Sequence, residues 1–117
     1  MSKEKLKPME QINPHKAIQY IIDTAPLYAQ AKAQRVFLEE ARKSVKAKLM
    51  NNSPETVLGK QESWAYSHPD YMEILQGLKV AVEEEVKLHW LLQAAQARIE
   101  TYKVQQYTQR AEIKAMQ

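Results

Sequence analysis

The stretch that decides the fold runs from Pro69 to Ala115, PDYMEILQGLKVAVEEEVKLHWLLQAAQARIETYKVQQYTQRAEIKA. Nothing in it stops a helix: its proline stands at the start, where a missing N–H is tolerated, and Gly77 only lowers the propensity. Ile74, Leu78, Ala81, Glu85, Leu88, Leu92, Ala95, Ile99 and Tyr102 recur at steps of three and four, so they share one side of a helix. Tyr71, Leu75, Val82 and Leu91 widen that seam. At about 1.5 Å per residue such a helix is about 70 Å long, roughly twice the width of a compact globule of this chain length. It must protrude, bend or pack against other subunits. Beyond Tyr102 the apolar line passes to Val104, Tyr107, Ala111 and Ala115 on another face, so one surface is expected to pack within the protomer and the other to meet neighbours.

Working upstream, Ser67, His68, Pro69 and Asp70 read as the helix start, with Ser67 as cap and Asp70 as the acid of a capping box. A short helix is expected from Pro54 to about Tyr66, presenting Val57, Leu58, Trp64 and Ala65, with Gly59 weakening it. Asn51, Asn52, Ser53 and Pro54 end the helix before it, because Asn tolerates the left-handed cap. That helix should begin near Ala25 and carry the stripe Leu27, Ala31, Gln34, Leu38, Ala41, Val45 and Leu49, widened by Tyr28 and Phe37. Asn13 and Pro14 open a shorter helix to about Asp23, and Thr24 with Pro26 repeats the start signal, which predicts a kink or brief break. Residues 1–12 read as a flexible tail, too polar for a secretory signal. The expectation is an all-α, single helical domain over 13–117. A hairpin of basic amino-terminal helices (13–66) and one very long carboxy-terminal helix (67–117) would oligomerise through the long helix.

Composition agrees. Only two glycines occur among 117 residues, which disfavours sheets and turn-rich folds, and the 26% charged and 44% hydrophobic shares are those of a folded chain. Cysteine is absent, which removes disulfides and thiolate metal sites and permits a reducing cytoplasm. No apolar run approaches the roughly 20 residues of a membrane span, so the chain is expected to be soluble and cytoplasmic, in the host cytoplasm if phage-encoded.

Catalytic signatures are missing as well. There is no glycine-rich phosphate loop, no nucleophile elbow and no metal-ligand spacing, so the chain reads as a non-enzyme without cofactor or metal. His15, His68 and His89 are far apart. Glu85 and His89 share a helix face, yet zinc requires three or four ligands, so the two read as a structural polar pair beside the seam. Glu83, four residues before Lys87, reads as an ordinary helix ion pair. Trp64, Tyr66, Tyr71 and Trp90 could stack on bases if exposed, but beside leucines at helical spacing they read as core.

The net charge of +3 is modest, but its placement is uneven. From Leu27 to Met50 the cations Lys32, Arg35, Arg42, Lys43, Lys46 and Lys48 are opposed only by Glu39 and Glu40, so one helix holds more positive charge than the whole chain. A run of cations ending at a polar loop can follow phosphates without reading base edges.

The string Val45-Lys46-Ala47-Lys48-Leu49, followed by Met50-Asn51-Asn52-Ser53, resembles the Leu-Lys-Ala-Arg-Leu motif and turn of the UvsY family of phage recombination mediators. Lys60-Gln61-Glu62-Ser63, then His89-Trp90-Leu91-Leu92 and the Ala-rich Ala94 to Ile99, extend the similarity from about Tyr28 to Arg110. Val45 replaces the first Leu, Lys48 the Arg, and the turn lacks a glycine. The resemblance implies a phage-type mediator that binds single-stranded DNA, assembles as a ring-like homo-oligomer, and helps a recombinase displace single-strand-binding protein. It implies DNA contacts at Lys46 and Lys48, to which helix geometry adds Arg42 and Lys43, and the basic helix adds Arg35. Lys48 keeps the charge of the Arg it replaces but loses the planar fork, so phosphate attraction is expected there. Two other readings remain open: an adaptor or inhibitor that binds a host protein through helix–helix contacts, and a purely structural helical unit, for example of a virion.

Overall fold

The structure, a computed structural model, describes residues 12–117, and these are all-helical. Three helices occur: α1 (Pro14–Asn52), α2 (Leu58–Ser67) and α3 (Pro69–Met116), the last of 48 residues. No residue among those described has a left-handed backbone. The tail expected over residues 1–12 lies, apart from Ile12, outside the described residues.

In α3 the anticipated seam is the face turned inward. Ala81, Leu88 and Ala95 are buried, while Ile74, Leu78, Glu85, Leu92, Ile99 and Tyr102 are half-buried. The residues meant to widen it divide: Tyr71 is buried and Leu75 half-buried, whereas Val82 and Leu91 are exposed. Past Tyr102, Val104, Tyr107, Ala111 and Ala115 are all open to solvent.

Of the kink or brief break expected at Thr24 and Pro26, the break does not occur, for α1 is one continuous helix of 39 residues with Pro26 inside it. The ring of Pro26 removes the N–H that would bond to the carbonyl of Ile22, at a position where Ile22 is itself exposed. Because the helix does not restart, its inward line runs unbroken through Thr24, Tyr28, Ala31, Arg35, Leu38, Arg42, Val45 and Leu49, all buried or half-buried. The stripe expected from apolar residues is displaced: Leu27, Gln34 and Phe37 are exposed.

The helix ends also differ in detail. Asn13 caps α1 as expected, its Oδ1 accepting from the amides of His15 (3.0 Å) and Lys16 (3.3 Å). Asn51 and Asn52 are the last residues of α1 rather than a left-handed cap, and α2 starts at Leu58, not Pro54. Ser53 turns the chain instead, its Oγ accepting from the amide of Glu55 (3.1 Å). Ser67 closes α2 by donating to the carbonyls of Ser63 (2.9 Å) and Trp64 (3.2 Å). The cap of α3 is therefore His68, whose Nδ1 accepts from the amide of Asp70 (3.0 Å). A histidine does here what a serine was expected to do, because Ser67 still belongs to the preceding helix.

Two compact units divide the chain. Pro26–His89 contains an apolar cluster in which Leu49, Ala65 and Tyr71 are packed by Val45, Met50, Trp64, Ile74 and Leu75. Within this unit Tyr28 faces His89 with ring centroids 6.2 Å apart, Arg35 pairs with Glu85, and a Cβ at Gly77 would lie 3.9 Å from Leu38 Cδ1. Partners that ascend α1 descend α3, so the two segments run antiparallel. The other unit joins the described residues up to Ala25 with Trp90–Gln117, and its buried residues, Ala17, Thr24 and Ala95, are all small. No helix among the described residues is long and apolar enough to cross a membrane.

Candidate nucleic-acid interface

A helix turns about 100° per residue, so the 3–4–3–4 spacing of Lys32, Arg35, Glu39, Arg42 and Lys46 places them in one line along α1. The line spans about 21 Å and is flanked by Lys43. It lies beside the buried face of α1 rather than opposite it, which explains why Arg35, Arg42 and Lys46 are half-buried while Lys32 and Lys43 are exposed.

Each predicted cation has a different environment. Arg35 is held inside the unit: its Nε donates to Glu85 Oε1, its Nη2 lies 3.4 Å from Glu85 Oε2, and its Nη1 donates to Glu39 Oε1 at 2.9 Å. Those bonds, to Glu85 first and Glu39 second, raise its proton affinity above the ordinary arginine value, and its charge is turned toward α3 rather than presented to a ligand. Expected as a DNA contact, Arg35 is placed as a tie between α1 and α3. Lys43 meets Glu40 at 3.2 Å, an exposed pair of small energetic consequence that salt or phosphate can open. Arg42 has no ion pair with a described residue.

Lys46 sits 4.7 Å above the ring centroid of Tyr66. A hydrogen bond to Tyr66 raises its pKa, burial works against this, and Glu62 assists, so the ammonium stays charged. Lys48 is exposed, but a step of two residues is about 200° of rotation, so it points almost opposite to Lys46. The two residues that carry the family motif therefore do not share a face. The motif's expected turn is corrected too, since Met50, Asn51 and Asn52 are helical.

Two participants escaped sequence reasoning about the site. Lys32 was visible in the same 3–4 spacing, but it lies outside the short motif. Tyr66 left no one-dimensional signal, because only the packing of α2 on α1 brings it to Lys46. Of the aromatic residues expected as core, Tyr71 is buried and Trp64 half-buried against His68 (5.1 Å), whereas Tyr66 is exposed and Trp90 is 65% exposed. Glu85, expected to share a polar role with His89, is engaged by Arg35, and Lys87 pairs with Glu84 (3.0 Å) rather than Glu83. Among the described residues no group of three or more His, Cys, Asp or Glu could hold a metal ion.

Compared with protein-family models, curated proteins and solved structures, the chain matches none. The resemblance in α1 thus rests on its own residues, and the function has to be argued from the faces the helices present.

Proposed function

We propose that this protein binds single-stranded DNA through its phosphate backbone, along the basic line of α1, and serves as an accessory that helps a recombinase replace single-strand-binding protein. The observation that carries the reading is the common alignment of Lys32, Arg42, Lys43 and Lys46 beside the packed face, with Arg35 bracing the line from within. Phosphates can approach these ammonium and guanidinium groups with no pocket and no base contact, which suits non-specific binding. Lys48, on the other side, offers a separate contact rather than a continuation of the line.

One protomer supplies few charges, so repeated copies matter. Val104, Tyr107, Ile113 and Met116 on α3 are exposed apolar residues of the kind that association covers, and a homo-oligomer built there would multiply the weak sites. The same residues favour a second reading, an adaptor that binds a host protein through helix–helix contacts.

Fluorescence anisotropy with a labelled oligothymidylate over a salt series separates the two. Arg42→Ala with Lys46→Ala should flatten the dependence of log affinity on log salt by about 1.4, which is about 0.7 for each phosphate no longer neutralised, with helicity unchanged. Binding by the double variant equal to that of the wild type across the series overturns the assignment of the contact to Arg42 and Lys46, and a wild type that binds no oligothymidylate overturns the DNA reading and leaves the adaptor.

A further inference from the structure

We infer that a second nucleotide-sized site lies in the unit that joins the start of α1 to the later part of α3, where Lys16, Tyr20 and Arg98 line a cleft fitted to a phosphate with an attached planar base. The site rests on the nucleic-acid reading and deepens it, through residues wholly apart from the basic line of α1.

The cleft has a volume of about 730 Å³ and is lined by Asn13, Lys16, Tyr20, Leu91, Arg98 and a floor of alanines that includes the buried Ala17 and Ala95. That volume is within the roughly 300–1,000 Å³ of small-molecule sites. Among the described residues two cations and no carboxylate line it, and neither cation is in an ion pair with a described residue. Two positive charges facing one concave surface invite an anion.

The helix start sharpens the chemistry. Pro14 has no amide hydrogen, the amides of His15 and Lys16 already bond to Asn13 Oδ1, and that of Ala17 bonds to the Asn13 carbonyl at 3.3 Å. The first-turn donors are thus taken, and an anion has to be held by the side chains of Lys16 and Arg98. The guanidinium can take two phosphate oxygens at once, while the ammonium acts as a point charge. Tyr20 is 38% exposed, so its ring is open to a base, and the alanines leave room for a flat group to lie against the floor. A purely apolar guest would cover the polar groups of Asn13, Lys16, Tyr20 and Arg98 without giving them partners, which is costly.

The test uses the full-length protein with two probes, a labelled oligothymidylate read by anisotropy and the unlabelled dinucleotide pTpT read by amide chemical shifts. Lys16→Gln with Arg98→Gln, which removes both charges and keeps polar side chains, should weaken oligothymidylate binding about tenfold at unchanged helicity. Tyr20→Leu should weaken it further while Tyr20→Phe retains it, and pTpT should shift the amides of Lys16, Tyr20, Ala94 and Arg98. If pTpT moves only amides between Lys32 and Lys48 and the glutamine pair binds as wild type, the cleft site is wrong and the α1 reading stands. If the glutamine pair loses binding while Arg42→Ala with Lys46→Ala keeps it, the cleft stands and the α1 reading falls. Wild-type binding by both pairs overturns both.

Discussion

The two units are built from the same two long helices, yet they use them differently. In Pro26–His89 a third helix closes over α1 and α3, so Leu49, Ala65 and Tyr71 meet in a shared cluster and an ion pair at Arg35 and Glu85 fixes the register. Among the described residues of the unit of Trp90–Gln117 and the start of α1 there is no third helix, the buried positions are alanines and a threonine, and Val104 and Tyr107 lie open to solvent. Apolar area removed from water is the main driving term of folding, so the first arrangement gains more from its own packing than the second does among its described residues. The difference teaches that the two long helices bury large apolar side chains where a third helix covers them and, among the described residues, leave such side chains open where none does.

The largest test of this contrast compares two tyrosines. Tyr71 is 8% exposed and Tyr107 is 78% exposed. Tyr71→Ala should cost about 3–5 kcal/mol in urea denaturation, whereas Tyr107→Ala should stay within about 0.5 kcal/mol for the isolated chain. Equal losses would abolish the distinction.

Pro26, where the two units divide in α1, provides the next test. Pro26→Ala restores the N–H that would bond to the Ile22 carbonyl and removes the ring, while leaving a looser unfolded chain. The expected net gain is about 2 kcal/mol, seen as a raised thermal midpoint. A loss would mean that the ring itself is needed at the division.

The smallest effect sharpens the packed unit alone. A Cβ at Gly77 meets only Leu38 Cδ1, at an ordinary contact distance of 3.9 Å, so Gly77→Ala should stabilise α3 by up to about 1 kcal/mol. Destabilisation in the same thermal scan would show that the helices need a closer approach there than the contact suggests.

Much of α3 was legible because its seam is written in leucine, isoleucine and alanine at helical spacing, a signal that needs no knowledge of the partner. The inward face of α1 was less so, for it passes through Arg35 and Arg42, and a polar residue at a seam looks like a solvated one until its counter-charge is known. Glu85 looks like a companion of His89 along the chain, yet the cation it binds stands 50 residues earlier. The basic helix was visible as composition, and its line at Lys32, Arg42 and Lys46 with Lys48 opposed was implicit in the spacing, but the engagement of Arg35 by Glu85 and of Lys46 by Tyr66 follows only from the packing. The cleft residues Lys16, Tyr20 and Arg98 carried no signal at all, being neutral in pattern and distant in sequence.

By itself the sequence determined that the chain is helical, where the long helix begins, and which side of it turns inward, because periodicity, capping and the scarcity of glycine act over a few residues at a time. The tertiary structure decided that α1 continues through Pro26, that His68 rather than Ser67 caps α3, and which cations are engaged or open. The engagement of Arg35 depends on a charge brought to it from 50 residues away in sequence, and the choice of cap on hydrogen bonds of Ser67 and His68 that residue type and spacing alone do not reveal.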